Sequence, residues 1–166
     1  MSFAPKHIMV PVAVDPDDDF MLAEHAVFAA CDIAEKFTSK ITLLHLAPVV
    51  DPSIGASLDV SGKIYHSFML VLQARIDRGR LKLKELEHYA QQRGINVEGR
   101  VIDSIERTAD VILETAEELN VDLLVLGSHG RSGLSRMLFG SVAETVSKKA
   151  YMPVLLLHPI REEEED

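Results

Sequence analysis

Short runs that are apolar at nearly every position alternate along this chain with longer segments whose apolar residues recur every three or four positions, and few folds accommodate that pattern. His7-Ile8-Met9-Val10-Pro11-Val12-Ala13-Val14, Ile41 to Leu46 and Asp122 to Leu126 suit strands covered on both faces, and such strands are usually parallel. Parallel strands need crossovers, which the intervening segments supply. Leu22, Ala26, Ala29, Ile33 and Phe37 make one helical stripe, after Asp17, Asp18 and Asp19, residue types that start helices. Ile64 to Arg93 predicts a long second helix through Phe68, Val71, Leu72, Leu83, Leu86 and Ala90, with Gly79 interrupting it and Gly94 placed to end it. Ile105, Ala109, Ile112, Ala116 and Leu119 share one face of a third helix, and Ser141 to Ala150 reads as a fourth. With further strands at Val97 to Ile102 and Pro153 to His158, the order is β-α-β-α-β-α-β-α-β. An α/β fold follows: a three-layer α/β/α sandwich around a five-stranded parallel sheet with right-handed crossovers.

At 166 residues the chain has room for one such core. Residues 1–160 read as a single domain and Arg161-Glu162-Glu163-Glu164-Glu165-Asp166 as a solvated acidic tail. Ala47 to Gly62, with Pro48, Pro52 and Gly55, reads as a long loop. A net charge of -9 disfavours binding to DNA or RNA, which needs clustered Lys and Arg. No apolar run approaches the roughly 20 residues that cross a bilayer, so no membrane span is expected. The single cysteine, Cys31, lies in a helical stripe and reads as core, and the N-terminus lacks the pattern of a secretion signal. Both fit a cytoplasmic protein. The seven histidines show no metal-ligand spacing, so no metal site within the protein is predicted; His45, on the second strand, reads as a satisfied core histidine.

Chemistry concentrates between the fourth strand and the last helix, in Gly127-Ser128-His129-Gly130-Arg131-Ser132-Gly133-Leu134-Ser135-Arg136-Met137-Leu138-Phe139-Gly140-Ser141. Glycines let a backbone adopt positive φ and approach a ligand closely, so that Gly127 and Gly130 are candidates for a cradle of amides around phosphate oxygens. Gly140-Ser141 opens a helix whose unpaired N–H groups favour an anion, and Arg131, with Arg136 as a second candidate, would neutralise phosphate charge. Ser141 and Glu144 also have the Ser-x-x-Glu spacing of a capping box, which would use the hydroxyl with no phosphate present. His129 has no evident partner carboxylate for acid–base work.

Gly127-x2-Gly130-x9-Gly140-Ser141 resembles the Gly-x2-Gly-x9-Gly-Ser/Thr signature of ATP-binding universal stress proteins. The likeness extends to Val10-Pro11-Val12 in the first strand, to Leu43-Leu44-His45-Leu46 and to Asp122-Leu123-Leu124-Val125-Leu126. It implies an adenine nucleotide alpha hydrolase-like (Rossmann-like) sheet of order 3-2-1-4-5, with ATP between the ends of strands one and four. The general rule for open α/β sheets puts a ligand at the same place, where the strand order reverses. By resemblance, Leu46 lines the base pocket with backbone groups, and Leu126 and Val142 join Gly127, Gly130, Arg131, Gly140 and Ser141 in the binding set. The family's adenine-recognising Asp ends the first strand; strict register puts Ala13 there, with Asp15 two residues on along the same strand face. Glu106 stands where many relatives carry a glycine.

The resemblance implies an ATP-binding regulatory module of the stress response, with magnesium or manganese held by the phosphates, and a homodimer joined through the last strand, Val154 to Leu157. Hydrolysis is expected to be slow or absent, because neither a Walker A Gly-Lys-Ser/Thr nor a kinase signature is present. Two rival readings are an ATP-hydrolysing or nucleotidyl-transfer enzyme, for which the usual phosphate motifs are missing, and a nucleotide-free dimeric scaffold in which Ala13 marks a lapsed pocket.

Overall fold

The computed structural model describes residues 3–13, 20–49, 62–128 and 140–158. Five strands, β1 (His7–Pro11), β2 (Lys40–Pro48), β3 (Val97–Ser104), β4 (Leu123–Gly127) and β5 (Val154–Leu157), alternate with helices α1 (Phe20–Phe37), α2 (Gly62–Gln92), α3 (Thr108–Glu118) and α4 (Ser141–Lys149). The strands form one sheet of order β3-β2-β1-β4-β5, parallel at every pairing, as the sequence pattern and the resemblance together predict. Because side chains alternate across a strand, the sheet has two apolar faces. Ile8, Val10, Ile41, Leu43, Leu123 and Val125 pack with Ala23, Ala26, Val27 and Ala30 of α1 and Leu83, Leu86 and Ala90 of α2. Met9, Leu44, Leu124 and Leu126 pack on the other side with Ala109, Ile112 and Ala116 of α3 and Ala143 and Val146 of α4. Cys31 is buried in the first of these cores, and burial pushes its thiol up to about 11, so that it stays protonated and inert.

Two expectations need correction. Gly79 does not interrupt α2, which runs unbroken for 31 residues. Ile105 lies before α3 and is 82% exposed, because the helix starts only at Thr108; Ala109, Ile112 and Ala116 do face the core. Gly94 ends α2 as predicted: its φ of 74° lets the chain reverse while Ile95 N–H reaches back to the Ala90 carbonyl at 3.2 Å. At 1.5 Å per residue α2 is about 46 Å long, against about 26 Å for the β3 strand that follows it. Its first half therefore overhangs the sheet, where Phe68, Leu70 and Val71 are exposed. Asp17, Asp18 and Asp19, most of the loop from 47 to 62 and the acidic tail at 161–166 lie outside the described residues.

Polar clasps join segments that are distant in sequence. Asp122 accepts the backbone N–H groups of Lys6 at 2.8 Å and His7 at 2.9 Å, which aligns the starts of β1 and β4. Arg93 donates to Asp32 at 2.8 Å and Glu35 at 2.7 Å, tying the end of α2 to α1 and holding the Glu35 carboxyl below its ordinary range. The His7 ring is buried between the Leu119 carbonyl, 3.0 Å from Nδ1, and the Thr42 hydroxyl, 2.8 Å from Nε2. A carbonyl only accepts, so Nδ1 carries the proton and Nε2 accepts from Thr42 in the neutral ring.

Burial is the main reason that the His7 pKa falls below the ordinary 6.5. Below 6.5 the unfolded chain then binds the proton that the folded chain refuses, so this site stabilises the fold fully above 6.5 and progressively less as pH falls toward the lowered value. In melts taken from pH 7.5 down to 5, wild type should lose more Tm than His7→Gln, whose side chain does not titrate; parallel losses would show that His7 is not the group responsible.

Candidate functional site

The sheet parts at the carboxyl end of its central strand. Even-numbered residues of β1 address β2, as the 2.8 Å bond from Val12 N–H to the Leu44 carbonyl shows, and odd-numbered residues address β4, as the 2.8 Å bond from Asp122 N–H to the His7 carbonyl shows. Pro11 therefore faces β4 with no N–H to donate. Pairing of β1 with β4 reaches only Met9 and Leu124, whereas β4 continues to Gly127 against Leu157 of β5. On the other side β1 pairs with β2 as far as Leu44, while β2 continues to Pro48 against Ser104 of β3. Both neighbours thus outrun β1, and the ladder parts beyond its end at the reversal of strand order, the place where open α/β sheets hold ligands.

Several of the candidate residues stand near this parting. Leu46 lies on the stretch of β2 beyond the β1 pairing, while its side chain packs against the core under α3 and α4. Leu126 is buried in that same core and Val142 packs partly against it, so both offer main chain and no side chain. Ala13 is exposed just past β1. His45 is buried, with Nδ1 3.3 Å from the Val12 carbonyl, the core histidine expected from its place on β2. Glu106 is exposed, and its N–H donates to Ser104 Oγ at 3.0 Å.

α4 begins next to the end of β4. Gly140 is its N-cap and donates its N–H to the Ser128 carbonyl at 2.7 Å, which brings the helix start to the end of β4. Glu144 N–H bonds back to the Gly140 carbonyl, but the N–H groups of the first helical turn, from Ser141 to Ala143, have no intrahelical acceptor by the geometry of a helix start. They combine with the dipole to make an end that favours negative charge. The capping box is not formed: Ser141 is inside the helix, no side chain caps it, and the Glu144 carboxylate pairs with Lys148. The exposed Ser141 hydroxyl is not committed to the cap.

Gly127, a candidate for the phosphate cradle, also has a packing role. It is the last residue of β4, and Gly94 alone among the described glycines has positive φ. A Cβ at Gly127 would lie 2.7 Å from Cγ and Cδ2 of the buried Leu22, so the missing side chain lets α1 close on the strand beside the parting. Asp15, Gly130 and Arg131 lie outside the described residues, as do His129 and Arg136. Among the described residues no group of His, Cys, Asp and Glu is arranged to hold a metal ion, and no helix is long and apolar enough to cross a membrane. The sequence reading overlooked Ser128, which is buried, with Oγ 3.0 Å from His158 Nδ1. The available signal was a Ser and a His each placed directly after one of two consecutive strands.

Residues 5–158 match the Universal stress protein family. Universal stress protein MJ0531 of Methanocaldococcus jannaschii is 31% identical over 158 residues, covering 95% of this chain and 85% of its own length. Among solved structures, the universal stress protein from Archaeoglobus fulgidus in complex with dAMP superposes with a TM-score of 0.63 at 21% identity, over 93% of this chain and 98% of that one. A universal stress protein family protein from Arabidopsis thaliana with AMP bound gives a TM-score of 0.63 at 20% identity, over 94% and 93%.

Two outcomes follow from the geometry. Gly127→Ala should lower unfolding stability by about 1–3 kcal/mol through overpacking against Leu22, and adding Leu22→Ala should make the two changes less than additive; strict additivity in urea titrations would separate the residues. Ser141→Ala should change stability by less than about 0.5 kcal/mol, because the hydroxyl caps nothing; a loss of about 1 kcal/mol or more in the same titration would restore the capping role.

Proposed function

Since the chain belongs to the universal stress protein family, we propose that it is a regulatory module of the stress response that binds ATP where the sheet parts between β1 and β4. The observation that carries this reading is the parting of the sheet at Pro11 with the α4 amides at its rim, joined to the Gly127-x2-Gly130-x9-Gly140-Ser141 spacing. The polyphosphate lies on the first turn of α4 with the Ser141 hydroxyl and the amides of Ser141 and Val142, continues against Gly130 and Arg131, and carries magnesium or manganese on its own oxygens. The base enters between Leu46 and the segment after β1, where Ala13 or Asp15 meets it. Bound dAMP and AMP in the two related structures support an adenine compound as the occupant.

Binding without rapid hydrolysis suits a module whose output is a change of shape or assembly. β5 is the outer strand beyond β4, and its four residues, Val154 to Leu157, are all partly exposed. An apolar edge of this kind invites pairing with another chain, and the reading assigns it to a second copy in a homodimer. A cytoplasmic setting accords with the reduced, buried Cys31.

Mass spectrometry of the denatured purified protein should find co-purified adenine nucleotide. Calorimetric titration should show ATP binding that Gly140→Val weakens by more than about tenfold, or about 1.4 kcal/mol, with circular dichroism unchanged. Undiminished affinity in that variant would remove α4 from the site, and absence of any ATP binding to wild type would leave the dimeric scaffold as the better reading.

A further inference from the structure

One buried residue stands at the junction of the two surfaces named above. Ser128 is 0% exposed, and its three polar groups reach three different places. Its N–H donates to the carbonyl of Leu157, the last residue of β5, at 2.8 Å. Its carbonyl accepts from the N-cap amide of α4, Gly140, at 2.7 Å. Its hydroxyl is hydrogen-bonded to Nδ1 of His158, the residue that follows β5, at 3.0 Å.

We infer that Ser128, braced by His158, is a positioning residue that couples anion binding at the start of α4 to pairing of β5 with a second copy. The inference rests on the nucleotide reading and on β5 as the dimer seam. The Ser128 peptide units are shared between the two surfaces. Charge drawn onto the first turn of α4 pulls on the Gly140 N–H, and a shift of that helix end displaces the Ser128 carbonyl and tilts the unit that holds Leu157. The two backbone bonds alone let Ser128 pivot between β5 and α4, and the bond to His158 is the tether that stops the pivot and makes the two move as one frame. A strand edge already paired with its copy holds that frame still, and the α4 amides then meet the phosphates pre-organised. Coupling of this kind is reciprocal: the factor by which saturating ATP alters dimer affinity equals the product, over the two sites of the dimer, of the factors by which dimerisation alters ATP affinity.

The test measures the dimer dissociation constant by sedimentation, with and without saturating ATP, in full-length wild type, Ser128→Ala, His158→Ala and His158→Asn. Asn places a polar atom where Nδ1 of His lies and keeps the bond to Ser128. Wild type should show a coupling factor of about fivefold or more. Ser128→Ala and His158→Ala should bring it to within about twofold of one, and His158→Asn should retain most of it, since one hydrogen bond accounts for a change of that order. His158 is exposed, so its two variants preserve the comparison if Ser128→Ala fails to fold. Equal coupling in wild type and His158→Ala overturns the inference and leaves the nucleotide site standing. So does ATP binding by wild type with no change in dimer affinity. Wild type that binds no ATP overturns both.

Discussion

β1 is bonded on both sides and covered on both faces, and at Pro11 it lacks the one N–H with which it would continue toward β4. A parallel strand deprived of that donor leaves the ladder on one side only. Here Val12 still reaches the Leu44 carbonyl, so β1 stays with β2 a little longer than it stays with β4. The sheet parts at its middle because the central strand ends before its neighbours: Leu46 pairs only with Ile102 of β3, and Gly127 only with Leu157 of β5.

The two apolar layers make this opening tolerable. Near the parting, the side chains of Leu46, Leu126 and Val142 are drawn into the core beneath α3 and α4. Main-chain amides recognise oxygen anions by position, and a core that fixes the strand ends also fixes those amides. Gly127 belongs to the same economy of space, since its missing Cβ lets Leu22 seat α1 against β4 beside the parting. At the far end of the sheet, Asp122 and the neutral, buried His7 tie β1 to β4 and to the end of α3. The strands are therefore clamped where they begin and free to part where they end.

Ser128 joins the end of β4 to the start of α4, its carbonyl accepting the Gly140 N–H at 2.7 Å. The edge strand β5 is held by that same residue. β5 is also held through its side chains, since Val154 and Leu156 pack against the core beneath α4 and Leu155 and Leu157 against the core beneath α1.

The amino-acid sequence by itself determined the element order, the parallel sheet and the segment in which the candidate site residues concentrate. Those depend on local periodicity, on continuous apolar runs and on glycines at fixed spacing, all of which are readable within a short window. It also showed Val10-Pro11-Val12 without revealing that Pro11 faces β4, because the direction of a peptide group is defined only by the partner strand. Ser141 and Glu144 had the spacing of a cap, yet the N-cap fell one residue earlier, on Gly140, whose amide was already taken by the Ser128 carbonyl. Ile105 kept the helical period of its neighbours and still fell outside α3. The contacts of Asp122 with Lys6 and His7, of Gly127 with Leu22, and of Ser128 with His158 join residues 30 to 116 positions apart. Only the tertiary structure could decide them, because a hydrogen bond or a close approach between distant segments leaves no periodic trace in either.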